Sequence, residues 1–269
     1  MFAPFKEVSD VTDCPSPDIL SVCSSKSAMF AAAFGKGIFR KSGEEHWQPA
    51  EQGLPEGVTV NRLQEINGSM FICTNKGLFY YDANAWYPTD ITCPCYQVVQ
   101  RGPILAAATE YGIWYKVGTH WKRIAAPNLP IYDLLLTPHY YILGTNQGIS
   151  LYDQYTDSWA DFALGTSVTS IAVHHGQLVG ASMEGELLQG NQQGGFVRCG
   201  FPDMTVYALK PTESGVYACT SRGLYRLQQL GARMILRSML AGYPVTDMCS
   251  SADCMYVSTL NSGLKKIVL

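Results

Sequence analysis

"FAAAFGKGIFR", Phe30 to Arg40, decides the fold. Taken alone, Gly35-Lys36-Gly37 could be a loop that cradles a phosphate. The rest of the chain answers otherwise, because the stretch recurs. Its counterparts are "FICTNKGLFYY" (71–81), "LAAATEYGIWY" (105–115), "YILGTNQGISL" (141–151), "LVGASMEGELL" (178–188), "YACTSRGLYRL" (217–227) and "YVSTLNSGLKK" (256–266). The shared glycines, Gly37, Gly77, Gly112, Gly148, Gly185, Gly223 and Gly263, are spaced 35 to 40 residues apart. Gly35 has no counterpart in the other copies, and Lys36 is replaced by Lys, Tyr, Gln, Glu, Arg and Ser in turn. A phosphate loop also needs a helix behind it, whereas "GIFRKSG" continues as strand.

Two columns flank the glycine. Four residues before it stand Ala33, Cys73, Ala108, Gly144, Ala181, Cys219 and Thr259. All are small, which predicts close approach between neighbouring repeats. The next position reads Thr74, Thr109, Thr145, Ser182 and Thr220 in the five middle copies. A hydroxyl at a strand end can bond turn amides. The unit reads as strand, tight turn, strand, with glycine supplying a backbone angle that other residues resist.

Each repeat carries two further elements. Upstream lies a short strand: "ILSVC" (19–23), "VNRLQ" (60–64), "CYQVV" (95–99), "IYDLL" (131–135), "VTSIA" (168–172), "VYALK" (206–210) and "VTDMC" (245–249). Downstream lies a segment centred on Trp47, Trp86, Trp121 or Trp159, with Phe196 and Ile235 at matching places. The stretch 226–240 has some helical character, but Gly231 and its place in the repeat favour two strands and a turn. Four strands at this period make a propeller blade, and a blade must stack on neighbours to cover its two apolar faces.

The expected fold is therefore all-β: a seven-bladed β-propeller of four-stranded antiparallel blades, forming one domain over 1–269. The blades run approximately 19–57, 58–94, 95–130, 131–167, 168–204, 205–244, and 245–269 with 1–9. The last repeat stops at its third strand. The spare N-terminal strand "FAPFKEV" (2–8) resembles "HWQPAEQ" (46–52) and supplies the fourth, with Phe5 or a neighbour in the tryptophan's place.

The pattern small-Thr-x-x-Gly-hydrophobic-aromatic, followed by tryptophan, resembles the bacterial-neuraminidase-repeat superfamily. It is also similar to the propeller repeats of two-component sensor ectodomains and photosystem II assembly factors. The resemblance spans all seven repeats and implies the fold, not an activity. The superfamily's Asp-box, Ser-x-Asp-x-Gly-x-Thr-Trp, is incomplete in "SGEEHW" (42–47) and "YDQYTDSW" (152–159). Sialidases also need an arginine triad on a six-bladed ring, whereas Arg62, Arg101, Arg123 and Arg198 fall at scattered repeat positions. WD40-like repeats are a looser comparison, since no Gly-His and Trp-Asp pairs recur.

Composition narrows the function. The 269 residues are 47% hydrophobic and 15% charged, with a net charge of −3. This allows a large core and offers no basic excess to neutralise phosphates, so nucleic acid is not an expected partner. No apolar run is long enough to span a bilayer, so no membrane insertion is expected. "MFAPFKEVSD" lacks the features of a signal peptide, and the nine cysteines read as thiols of a cytoplasmic chain.

Propellers usually bind at the mouth of the central channel, where the innermost strands begin. The third residues of the upstream strands are Ser21, Arg62, Gln97, Asp133, Ser170, Ala208 and Asp247; the second are Leu20, Asn61, Tyr96, Tyr132, Thr169, Tyr207 and Thr246. As a binding site, Arg62 would take an anion, Asp133 and Asp247 amines or acid–base work, Gln97 a polar group, and Tyr96, Tyr132 and Tyr207 a stacked ring. As a structural channel, the same groups would bond one another.

Other features point to structure. His174 and His175 begin the turn after the fifth upstream strand; adjacent residues on a strand face opposite ways, so they make a poor metal pair. Cys93-Pro94-Cys95 has one intervening residue and no second pair, unlike a zinc site. Cys23 and Cys249 share the last register of the first and seventh upstream strands. No nucleophile elbow, Walker loop or zinc helix motif occurs, and neither cofactor nor metal is expected. The reading is a binding module or scaffold for a protein, peptide or small polar ligand. The alternatives are a lyase, isomerase or hydrolase working at the channel mouth, and a structural subunit of a larger assembly.

Overall fold

A computed structural model of the chain describes residues 7–25, 27–43, 46–124, 128–191, 193–231, 233–251 and 253–268. Seven four-stranded antiparallel sheets follow one another around a ring, and among the described residues there is no helix. Within six blades the strands lie side by side in chain order, from the inner strand to the outer. The inner strands are Ile19–Ser24, Val60–Ile66, Cys95–Arg101, Ile131–Leu136, Val168–His174, Val206–Thr212 and Val245–Ser250.

Blade seven is assembled from both ends of the chain. Its outer strand is Glu7–Asp10, paired antiparallel with Leu264–Val268 in the register Glu7↔Val268 to Asp10↔Lys265. The N-terminal strand therefore completes the last blade, lying slightly later than 2–8; Phe5 lies outside the described residues. The seam between blades seven and one is packed by Ile19, Val22, Ala31, Ala33 and Leu264, all buried.

The hairpin chemistry read from the repeat is present. The hydroxyls of Thr74, Thr109, Thr145 and Thr220 donate to the carbonyls of Gly77, Gly112, Gly148 and Gly223 at 2.7–3.2 Å. The same oxygens accept the amide two residues on. Gly148 is needed twice over. Its φ is +140°, and a Cβ there would lie 2.1 Å from the Phe162 carbonyl oxygen of the outer strand. Gly35, by contrast, sits in an open turn where a Cβ would meet nothing within 4 Å.

Pairing with the inner strand corrects the columns in two blades. The residues opposite the first inner-strand position are Ala33, Thr74, Thr109, Thr145, Ser182, Thr220 and Thr259. In blades one and seven the turn holds one extra residue, so the small residues are Ala32 and Ser258. Thr259 is the hydroxyl of blade seven, donating to the Gly263 carbonyl at 2.7 Å. The small column does mark close approach: a Cβ on Gly144 would lie 2.6 Å from the Val168 carbonyl oxygen of the next blade.

The core is distributed between blades rather than within them. Phe30, Ala32 and Ile38 of blade one pack with Leu63, Ile72 and Trp86 of blade two. Trp86 is almost wholly buried and donates its indole N–H to the Ala50 carbonyl of the preceding blade at 2.7 Å. Trp121 is buried in the same way, whereas its counterpart Trp159 is 41% exposed. The stretch around Gly231 forms strands Gly223–Leu230 and Arg233–Ala241.

Candidate functional site

Every inner strand opens with the same distortion. Pairing skips the second residue, so that Leu20, Asn61, Tyr96, Tyr132, Thr169, Tyr207 and Thr246 each form a β-bulge. A bulge re-aims the side chains beside it. Here the third residue turns into the contact between blades while the second is left nearer solvent. Ser21, Asp133, Ser170 and Asp247 are at most 4% exposed, whereas Asn61 and Tyr207 are exposed.

The buried column laces the ring together. In five blades the third side chain accepts the amide of the fourth residue in the next blade. Ser21 Oγ takes Leu63 N at 3.0 Å, Gln97 Oε1 takes Leu134 N at 2.6 Å and Asp133 Oδ2 takes Ile171 N at 2.7 Å. Ser170 Oγ takes Leu209 N at 3.0 Å, and Asp247 Oδ2 takes Val22 N at 3.3 Å. Such bonds matter because an inner-strand amide left facing a neighbouring blade would be buried without a partner.

Blades two and six lack an acceptor at this position, having Arg62 and Ala208. In blade two the fifth residue takes over: Gln64 accepts Val98 N at 2.8 Å and donates to Val98 O at 3.0 Å. In blade six the fifth residue is Lys210, which forms an ion pair with Asp247 across the seam. Gln64 and Lys210 were not among the residues singled out from sequence. A signal existed, since they are the two hydrophilic residues at a fifth position otherwise occupied by Cys, Val, Leu and Ala.

Arg62 reaches past blade three to Asp133 of blade four, 3.3 Å away. Burial opposes its charge, but the carboxylates of Asp133 and Asp247 more than offset this, and the guanidinium pKa is raised. Asp133 accepts from Arg62, Ile171 N and Ser170 Oγ; Asp247 accepts from Ser21 Oγ, Val22 N, Met248 N and Lys210. Neither carboxylate can exchange a proton with a substrate without giving up a bond that joins two blades. The structure thus brings Arg62 and Asp133 together and places Asp247 in the same buried tier, with Gln97 half-buried.

The tyrosines belong to the other tier. Tyr96 and Tyr132 meet edge to face with centroids 5.2 Å apart, and Tyr96 donates its hydroxyl to Glu110 at 2.5 Å. Burial and the Glu110 bond push the Tyr96 phenol pKa up, so it stays protonated and donating. Tyr207 stands apart at 39% exposure. Asn61 and Thr246 bond carbonyls of the neighbouring blade, Cys95 and Ile19. At the opposite ends of the inner strands of blades two to four lies a cavity of about 470 Å³, lined by Glu65, Asn67, Gln100 and apolar residues between them.

No family model matches this chain, and no curated protein matches it. Solved structures do. The extracellular domain of hybrid two-component system BT3049 from B. thetaiotaomicron is 15% identical with a TM-score of 0.75, covering 98% of this chain and 42% of that one. Virginiamycin B lyase from Staphylococcus aureus is 9% identical with a TM-score of 0.76, covering 98% and 99%. The WD40 propeller domain of Doa1 is 12% identical with a TM-score of 0.72, covering 98% and 96%. The chain spans about two fifths of the sensor chains it matches. The similarity read from the repeats to two-component sensor propellers holds at the level of the fold.

Two histidines differ from expectation. The rings of His174 and His175 lie 4.3 Å apart in an edge-to-face arrangement. Strand alternation does not separate them because His175 has left the strand, with φ +48°. Cys23 and Cys249 lie in contacting inner strands of blades one and seven, and burial raises both thiol pKa values, leaving them protonated and unreactive at neutral pH.

Proposed function

We propose that this chain is a binding module that docks a protein, peptide or small polar ligand on the channel mouth formed by the bulge residues. The observation that carries this reading is the division of labour between the two tiers. Asp133, Asp247, Gln97 and Arg62 are committed to holding the blades together and form an ordered polar floor. Tyr132, Tyr207 and the Tyr96–Glu110 pair stand above it. They offer flat rings and hydroxyls at low conformational cost, the chemistry enriched at recognition surfaces. The enzyme reading gives acid–base work to Asp133 and Asp247, and each of these carboxylates already holds three or more donors.

Affinity capture tests the reading. A partner retained by the parent chain and lost by Tyr132→Ala and Tyr207→Ala, with melting temperature unchanged, would support it. A partner retained equally by both variants would place recognition elsewhere. Turnover of a substrate abolished by Asp133→Asn in a folded protein would favour the enzyme instead.

A further inference from the structure

The inner strand of blade five ends at His174, at the end farthest from its bulge. The residue is 8% exposed, and its Nε2 is buried with no hydrogen-bond partner among the described residues. Buried polar atoms are nearly always bonded, so an unpartnered one marks a place where something else belongs. His174 lines a cavity of about 570 Å³ between blades five and six. The far wall is the turn between Thr212 and Gly215 and the two outer strands of blade six.

The groups around this atom decide what it would bind. Among the described residues no aspartate or glutamate lines the cavity. Glu213, in the adjoining turn, is exposed and lies outside the lining. On its own blade His174 is opposite Gln177, which is uncharged. The titratable and charged groups that do line the cavity are His175, with its ring 4.3 Å from that of His174, and Arg226. Arg226 is already engaged with the Ser214 carbonyl, so it acts here as a fixed positive charge.

Burial, then the His175 and Arg226 charges, hold the His174 pKa below its ordinary value and the ring neutral. An anion reverses the two charge effects. It favours the protonated ring, and the imidazolium then donates Nε2–H to it. A metal ion would instead meet Arg226 and find no carboxylate. One negative charge matches the one positive charge that His174 gains, which suits a carboxylate. The remaining rim is apolar: Val173, Leu230 and Ile235 are 44%, 70% and 38% exposed. A few polar groups set among apolar ones is the composition of a small-molecule site.

We propose that the blade 5–6 cavity binds a small organic carboxylate, its head on His174 Nε2 and its apolar body against Val173, Leu230 and Ile235. Binding brings one proton from solvent onto His174. The site lies at the ends of the inner strands away from the bulges, so it stands or falls separately from recognition at the channel mouth.

Calorimetric titration of the full chain with hexanoate, and with hexanamide as its neutral counterpart, tests this. Hexanoate should bind at least about fivefold more tightly at pH 6 than at pH 8, because the bound state holds an extra proton. Hexanamide should bind more weakly at both. In the parent chain the His174 ring, followed by NMR, should titrate at higher pH with hexanoate than without, while the ring of His139 on blade four stays unmoved. His174→Gln should weaken hexanoate and abolish the pH dependence. Ile235→Asp sets a like charge at the exposed rim and should weaken hexanoate with the melting temperature unchanged, which keeps the test open if His174→Gln does not fold. Equal binding of hexanoate and hexanamide overturns the proposal. So does a His174 titration that hexanoate leaves in place, undiminished binding by a folded His174→Gln, or no hexanoate binding at millimolar concentrations.

Discussion

Ser21 and Asp247, 226 residues apart in the chain, share a 2.5 Å hydrogen bond across the seam where the first and last blades meet. Asp247 also holds Val22 N from blade one and Lys210 from blade six, so one carboxylate ties three blades. Asp247→Ala should therefore cost about 3–5 kcal/mol in urea unfolding, since it strands a largely buried lysine and an inner-strand amide. Adding Lys210→Met should recover part of the loss by removing the unpaired charge. A double variant no more stable than the single would show that the ion pair matters little.

The N-terminal strand can be tested by truncation. Removing residues 1–10 strips the outer strand of blade seven, uncovers the edge of Leu264–Val268 and takes Asp10 from Lys265. The melting temperature should fall by at least about 5 °C. An unchanged value would mean that this strand does not close the ring.

The two glycines of the motif and its repeats should behave differently. Gly35→Ala meets no neighbour and carries only the strain of its φ of +66°, a cost of about 1 kcal/mol. Gly148→Ala combines a φ of +140° with a Cβ driven into the Phe162 carbonyl, and should cost more than about 2 kcal/mol or prevent folding. Thermal or urea unfolding of the pair gives the comparison.

His174 makes stability depend on pH. Burial, aided by the nearby His175 and Arg226 charges, lowers its pKa below the ordinary 6.5. Below that value the unfolded chain takes up a proton that the folded chain resists. The contribution is thus present at neutral pH and lost on acidification through about 6.5 and below. Between pH 7 and 5 the melting temperature of His174→Gln should fall less than that of the parent. Parallel falls would show that His174 is not the responsive group.

The fold was legible because a propeller writes its geometry into the chain seven times. The turn glycine recurs in all seven copies and a hydroxyl precedes it in six, with Ala33 the exception in blade one, and a stretch such as 226–240 could be assigned from its place in the repeat. What a single blade cannot reveal is registration across blades. The third-position column was visible, yet which amide Gln97 or Asp133 accepts depends on the bulge one residue earlier, and a bulge leaves no mark in residue type. The extra turn residue in blades one and seven shifted the small column by one for the same reason. His174 and His175 misled because the alternation rule ends where the strand does.

Six joints of this ring are clasped by short side chains gripping a neighbour's amide, and the seventh is not. Between blades six and seven Ala208 offers no acceptor, and the bridge is a flexible lysine reaching a carboxylate. The unlike link rests on a largely buried ion pair and on the apolar contacts of Tyr217, Leu224 and Val245, and such a pair is screened by salt much less than an exposed one. Loss of either partner, rather than added salt, would therefore soften the circle at this single point, turning a closed band with no ends into a linear stack with two.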